Sequence, residues 1–225
     1  MKYLIAILFF ICFSQATAET IKIPKNNKIL FDIIRKNKTI GSHIINFKKE
    51  NGILNVDIKV DIKVKLGFIT LYKYSHENNE NWEKSELISI STKSLTNSKK
   101  KYIVNGEQKN DKFEFYGIDG RNIVERNIVP ISYWNVNLLK RKNFLDTQKG
   151  IIREFTLSQL DSEKIIFDNN EVECIKYEIK IITKHSSDEK PFPIIYVWYD
   201  NNGELMKLFF NSPEDNSKID YVRIK

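Results

Sequence analysis

The sequence predicts a mainly β protein: a single antiparallel meander of long hairpins that forms a strongly curved sheet, an open barrel or a β-roll. Apolar and charged residues alternate strictly in VDIKVDIKVK, residues 56–65, as in a strand with one buried face. Turn motifs rich in Asn, Asp and Gly separate segments of this kind. A helical pattern is confined to NVNLLKRKNFL, residues 135–145, which allows one or two turns.

The elements follow one another at hairpin spacing. Turns are expected at ENG 50–52, IDGR 118–121, DNN 168–170 and DNNG 200–203. The predicted strands cover residues 28–35, 40–48, 53–66, 68–76, 87–93, 101–105, 112–117, 151–158, 163–167, 171–183, 194–199, 204–210 and 218–224. The strand at 53–66 would span roughly 46 Å at ~3.3 Å per residue. A strand of this length bends, and Gly67 is the expected position of a bulge or bend.

The N-terminus predicts export. Lys2 precedes the apolar run YLIAILFFICF at 3–13, which is too short to span a bilayer, and ATA at 16–18 matches a cleavage signature. We therefore expect a signal peptide at 1–18, cleaved near Ala18, and a single β domain at 19–225 in the periplasm or outside the cell. A transmembrane barrel would also alternate, but paired aromatic girdles and a terminal aromatic residue are not seen.

Cysteine usage and charge exclude several classes of protein. Only Cys174 remains after residue 18, so no internal disulfide is expected, and its place in an alternating segment indicates a half-buried strand residue. The formal net charge is +7, but 30 of the 36 basic residues are Lys and they are dispersed among acidic residues. Arginine supplies the bidentate contacts that nucleic-acid recognition uses, so no nucleic-acid partner is expected.

No catalytic or metal-binding pattern emerges from the residues. HENNE at 76–80 lacks the second His of a zinc-protease helix, and the three His are scattered. Carboxylates such as Glu77, Glu80, Glu83 and Asp146 stand in no context that marks a glycosidase pair. A G-x-S-x-G elbow and a Gly-rich phosphate loop are also lacking. We expect no cofactor, no metal and no enzymatic activity.

Aromatic residues offer the candidate ligand site. Rings with an apolar body and a polar tip suit the mouth of a cavity or the corner of a sheet. Alternation places Tyr72, Tyr74 and His76 on one strand face, and the stretch PISYWN at 130–135 is read as a strand end that presents two rings at the rim of the concave sheet. The following LDTQKG, 145–150, is read as a turn. The candidate ligand-binding residues are Tyr72, Tyr74, His76, Trp82, Tyr133 and Trp134.

A set of motifs resembles an uncharacterised family of exported bacterial proteins, a domain of unknown function. The motifs are H-x-x-x-E-x-W from His76, P-x-S-Y-W at 130–134, L-D-T-Q-x-G at 145–150 and W-Y-D-x-x-G-x-L at 198–205. The resemblance spans nearly the whole chain after residue 18 and carries no catalytic residue with it. The last motif is also similar to exported β-roll domains that resemble carriers of lipids or lipoproteins, which implies a curved sheet with an apolar concave face.

Two functions are compatible with these features of the sequence. The first is a periplasmic protein that binds an apolar or amphiphilic envelope molecule in its curved sheet, because a long apolar sheet face must be covered. The alternative is a structural or protein-interaction module of the cell envelope without a small ligand. A lipid or an envelope protein is the expected partner, and after cleavage the chain is not expected to span the membrane.

Overall fold

The computed structural model describes residues 21–187 and 189–225. The predicted signal peptide at 1–18 lies outside these residues. Fourteen strands follow one another: β1 Lys28–Arg35, β2 Lys38–Glu50, β3 Ile53–Leu66, β4 Ile69–Glu83, β5 Glu86–Thr96, β6 Lys100–Lys109, β7 Lys112–Gly117, β8 Gly120–Glu125, β9 Asn143–Leu145, β10 Ile152–Phe167, β11 Asn170–Ile181, β12 Ile195–Asp200, β13 Leu205–Asn211 and β14 Lys218–Arg223. A 3-10 helix, Val136–Lys140, precedes β9. None of the helical turns in the described ranges is long and apolar enough to cross a membrane.

All fourteen strands form one antiparallel sheet. Its order is β8-β7-β6-β5-β4-β3-β2-β1-β14-β13-β12-β11-β10-β9, so the first and last strands pair at the centre and β8 and β9 are the two edges. Apart from the β1–β14 pair, neighbouring strands in the sheet are consecutive along the chain. The sheet is not closed by strand pairing. The predicted meander of long hairpins in a curved sheet is confirmed.

Curvature brings the turn between β9 and β10 against the other half of the sheet. The Thr92 hydroxyl of β5 donates to the backbone oxygen of Thr147 at 2.6 Å, and Ile118 N donates to Lys149 O at 2.8 Å. Gly117 and Gly150 touch so closely that a Cβ on Gly117 would lie 2.0 Å from the Gly150 oxygen. The sheet thus encloses a core although its edge strands are not hydrogen-bonded to each other.

Several predicted boundaries are corrected. The fourth strand continues through the polar run at 77–83, and 151–158 and 163–167 form one strand with an irregularity between Gln159 and Ser162. The edge strands β8 and β9 were not predicted; β9 has only three residues. Gly67 is the turn of the β3–β4 hairpin, while the irregularity follows Val64.

The stretch at 130–135 does not end a strand as predicted. Pro130 forms a single parallel bridge with Leu145, and the chain then crosses the concave side of the sheet without regular structure. Val129, Trp134 and Leu138 of this connection are buried in the main core. The segment acts as an internal plug that covers the apolar face of the sheet.

Cys174 is a core residue of a second, smaller cluster. It is fully buried with Trp198 and Met206 on the opposite face of the sheet. Burial raises the pKa of its thiol to about 11. The thiol therefore stays protonated and packs as a small apolar group.

Candidate functional site

A row of inward-facing residues crosses the centre of the sheet. The strand register sets His43 of β2 opposite Val60 of β3, Val60 opposite His76 of β4, and His76 opposite Ser94 of β5. Neighbouring strands lie about 4.8 Å apart, so the two His backbones stand roughly 10 Å from each other. Buried histidines at inward sheet positions are uncommon, because most such positions hold apolar residues.

His43, Val60 and His76 border a cavity of about 270 Å³ between the sheet and the 130–135 segment. Its apolar wall comes from strands of both halves of the sheet and includes Ile58, Val60, Phe144, Ile181, Ile195, Leu208 and Phe210. Its polar groups are His43, Tyr74, His76, Asn78, Ser132, Tyr133, Asp146, Thr147, Gln148, Arg153 and Tyr221. A cavity that combines an apolar wall with convergent polar groups is a usual form of small-molecule site.

His43 is the unusual member of this lining. Its side chain is 5% exposed, and neither ring nitrogen has a hydrogen-bond partner within residues 21–187 and 189–225. Its ring packs against Phe31 and edge-on against Tyr221, with centroids 5.8 and 5.7 Å away. Burial, with a further effect of His76, lowers the His43 pKa to about 3. The ring is neutral at pH 7 and presents one unused donor and one unused acceptor.

Both ring nitrogens of His76, by contrast, have hydrogen-bond partners. Nδ1 lies 2.7 Å from the Ser94 hydroxyl, Nε2 lies 3.3 Å from the Thr147 hydroxyl, and its ring stacks on Tyr74. Burial lowers its pKa to about 4, and Asp146 opposes the shift. His76 is therefore also neutral at pH 7, and it ties the β9–β10 turn to the sheet.

The 130–135 segment turns Tyr133 into the cavity. Tyr133 has φ +62°, an unfavourable conformation for an aromatic residue. The Tyr199 hydroxyl holds the Tyr133 carbonyl at 2.6 Å, and Trp134 N donates to Ser132 O at 2.8 Å. Because of this strained turn, the two neighbouring side chains point in different directions. Tyr133 borders the cavity, whereas Trp134 is buried in the core.

Glu80 of β4 anchors the 130–135 segment to the sheet. This fully buried carboxylate accepts from Asn78 Nδ2 at 2.8 Å and from the indole nitrogens of Trp82 and Trp134, each at 3.0 Å. The two indole rings meet edge-to-face. Burial raises the Glu80 pKa to about 7, although the hydrogen bonds favour the ionised form. Glu80 therefore links β4 to the plug through its hydrogen bonds to the two indoles.

A buried network of ion pairs, centred on Arg153 of β10, forms part of the cavity wall. Arg153, with a fully buried side chain, donates from Nε to Asp146 at 2.7 Å and from both terminal nitrogens to Glu189 at 2.9 and 3.1 Å. Its guanidinium lies 4.4 Å from the Phe192 ring. Asp146 also caps its own turn by accepting from the backbone of Gln148 and Lys149. The predicted turn at 145–150 is confirmed, and Gly150 in it has a positive φ of +65°.

The residues predicted from sequence divide into two groups. Tyr74, His76 and Tyr133 line the cavity. Trp82 and Trp134 are buried around Glu80 and do not line it, so the expected rim position of Trp134 is corrected. Tyr72 shares the face of Tyr74 but lies beyond the cavity, near the end of its hairpin, and is partly exposed.

Sequence reasoning missed His43, Asn78, Arg153 and Tyr221 as lining residues, and Glu80 as the anchor. Continuing the alternation of Tyr72, Tyr74 and His76 to Asn78, Glu80 and Trp82 would have placed all three of these further positions inward. The polar run HENNENW hid this, because both of its faces are polar. His43 and Tyr221 come from distant strands, and only the central β1–β14 pairing joins them.

The arrangement is suited to binding. The described residues contain no cluster of three or more His, Cys, Asp or Glu placed to hold a metal ion. Both imidazoles are neutral, and Arg153, the cation at the cavity wall, is already paired with two carboxylates. Unused hydrogen-bonding capacity in the lining lies on His43, Asn78 Oδ1 and Ser132 Oγ, which lack partners in the described part of the chain.

Comparisons with known proteins agree with the fold. No curated protein sequence matches the chain. Among solved structures, the chain is similar to a beta-barrel-like protein of Brucella abortus from another domain of unknown function, DUF1849. The TM-score is 0.63 at 8% sequence identity, over 88% of this chain and 95% of the other, so the likeness concerns the fold. A family model, Domain of unknown function (DUF6134), matches residues 31–224, and the chain therefore belongs to this family.

Proposed function

We propose that this protein binds one small molecule with an apolar body and an uncharged hydrogen-bonding head in the central cavity. The observation that carries this proposal is His43, which lines the cavity and whose two ring nitrogens have no partner among the described residues. A buried polar group without a partner costs about 1–3 kcal/mol. A ligand hydroxyl or amide could satisfy one of these nitrogens, by donating to the unprotonated nitrogen or by accepting from the protonated one.

The size and charge of the cavity define the ligand class. At about 270 Å³ the cavity lies at the lower end of small-molecule sites, so a single short chain or ring system fits and a whole phospholipid does not. A carboxylate or phosphate head would find the nearby guanidinium of Arg153 already paired with Asp146 and Glu189. Burying an unpaired charge is costly, so the site favours a neutral head.

The cellular setting belongs to the same proposal. The apolar run at 3–13 and the A-x-A motif at 16–18 support export, and the ligand would then be an apolar or amphiphilic molecule of the cell envelope. If no ligand binds, the alternative of a structural or interaction module of the envelope takes its place.

An eight-carbon series tests the head group. Isothermal titration of 1-octanol, octanoate and octylammonium keeps the apolar body and changes only the head and its charge. We expect 1-octanol to bind at least about tenfold more tightly than either ion, because each ion would be buried unpaired. Equal or tighter binding of octanoate would contradict the neutral head, and failure of all three probes to bind would contradict the site.

Replacing His43 with leucine separates binding from folding. The variant fills a similar volume but removes both unpartnered nitrogens, so we expect 1-octanol affinity to fall about 3- to 10-fold. The ligand-free variant should unfold at equal or higher denaturant concentration than the wild type. His185→Leu, a substitution of the same kind at a surface residue bonded to Asp119, should leave 1-octanol affinity unchanged.

A further inference from the structure

The tip of the β3–β4 hairpin is an exposed apolar surface. Leu66 and Ile69 are 68% and 66% exposed, Leu71 is more than half exposed, and Phe68 projects fully into solvent at the apex. Gly67, at φ +57°, begins the two-residue turn that places Phe68 there. Large apolar side chains gathered at one projecting point mark an interaction surface.

The apolar stripe to which Leu66 and Ile69 belong is buried elsewhere in the sheet. Along β3 the inward positions are buried through Val60, partly exposed at Ile62 and Val64, and exposed at Leu66. The opposite strand follows the same course, since Tyr72 and Ile69 pair with Val64 and Leu66. The hairpin therefore carries the apolar face of the sheet beyond the body of the fold, where no other described element covers it.

Lysines surround the base of this tip. Lys63 and Lys73 occupy directly opposite positions on β3 and β4, and Lys65 precedes Leu66. All three side chains are exposed. The segment 62–73 contains no Asp or Glu. The Lys63–Lys73 pair stands three residue pairs behind Leu66–Ile69, or roughly 10 Å at ~3.4 Å per residue. Apolar side chains at interfaces enter the bilayer by about 5–10 Å, which leaves Lys63 and Lys73 at the height of the headgroups. Lys65 lies nearer the tip, and its long flexible stem can carry its charge to the same height.

We propose that the β3–β4 hairpin inserts its tip into an anionic lipid surface, with Phe68, Leu66, Ile69 and Leu71 in the apolar boundary and Lys63, Lys65 and Lys73 at the phosphates. A projecting tip is surrounded by lipid on every side, whereas a protein partner would need a groove to cover it. The positive charge selects an anionic surface. The proposal is independent of the ligand site, because these tip residues do not line the cavity.

Vesicle binding tests the proposal. The protein is expressed from the full sequence and its mass determined, so that all variants are compared in the same processed form. We expect the wild type to sediment with phosphatidylglycerol vesicles and to bind them more weakly at high salt and on phosphatidylcholine. Phe68→Ser/Ile69→Ser should reduce binding at least about tenfold, since both side chains lose their apolar burial.

Two further variants define the outcome. Lys63→Gln/Lys65→Gln/Lys73→Gln should weaken binding to phosphatidylglycerol vesicles at least about tenfold. Each lysine near an anionic surface can contribute up to about fivefold in affinity. Ile123→Ser/Ile166→Ser removes two exposed apolar side chains outside the tip and should have no effect. Binding that survives the Phe68→Ser/Ile69→Ser change, or no binding at all, would overturn the proposal. A dimer that dissociates in Phe68→Ser/Ile69→Ser would also overturn it and assign the tip to a second copy.

Discussion

Replacing Arg153 with methionine should lower the free energy of unfolding by about 3–5 kcal/mol, measured by urea denaturation. Methionine retains much of the apolar stem but leaves Asp146 and Glu189 without their shared cation. Asp146 lies in the turn that contacts β5 and the end of β7, and Glu189 lies in the loop before β12. Loss of Arg153 therefore leaves the buried Asp146 carboxylate without a cation. It also removes one of the two ionic links between these segments, since the Lys149–Glu189 pair remains.

The matched control for this variant is Arg126→Met. Arg126 pairs with Glu86 at the surface, where an ion pair contributes about 0–1 kcal/mol. We expect Arg126→Met to change the free energy of unfolding by less than about 1 kcal/mol. If Arg153→Met costs no more than this control, the Asp146–Arg153–Glu189 network does not hold the cavity wall together.

Replacing Glu80 with alanine should lower the free energy of unfolding by about 3–5 kcal/mol. The change leaves the indole nitrogens of Trp82 and Trp134 without their acceptor inside the core, at about 1–3 kcal/mol for each buried unsatisfied group. The plug at 130–135 loses its anchor, so the ring of Trp134 should also show a change in near-ultraviolet circular dichroism. A cost below about 1 kcal/mol would show that the two indoles do not depend on Glu80.

Glu80→Gln tests the pH dependence of the same site. Burial raises the folded-state pKa of Glu80 from 4.5 to about 7, so folding favours the protonated form. The stability that Glu80 contributes is complete below pH ~4.5 and is lost as pH rises through about 7. Glutamine resembles the protonated acid and does not titrate. Glu80→Gln should therefore gain about 3 kcal/mol relative to the wild type between pH ~4.5 and pH ~8, with the effects of both histidines common to both proteins.

Much of the fold follows from local sequence pattern. Strict alternation in 53–66 predicts β3 with the bounds that the structure has, and DNNG at 200–203 lies at the β12–β13 connection as expected. The exceptions have physical causes. The predicted strand ended at His76 because the following run lacks apolar alternation. Its inward residue Glu80 is held by hydrogen bonds from Asn78 and the two indoles rather than by apolar packing.

The candidate site was less accessible to sequence reasoning. Tyr74, His76 and Tyr133 were found because aromatic residues at alternating positions and beside a proline stand out locally. The partners that make the cavity chemically distinct, His43 and Tyr221, are brought together by the pairing of the first and last strands. A lone histidine in an ordinary strand carries no local sign that both of its nitrogens will lack a protein partner.

Native mass spectrometry of the protein, isolated without detergent from the cells that make it naturally, tests the central claim most directly. We predict one bound molecule per chain, released on denaturation, with an apolar body, an uncharged head and a size that fits about 270 Å³. The His43→Leu variant should carry less of it than the His185→Leu control. A wild-type protein that is free of ligand, and that also fails to take up 1-octanol, would contradict the account.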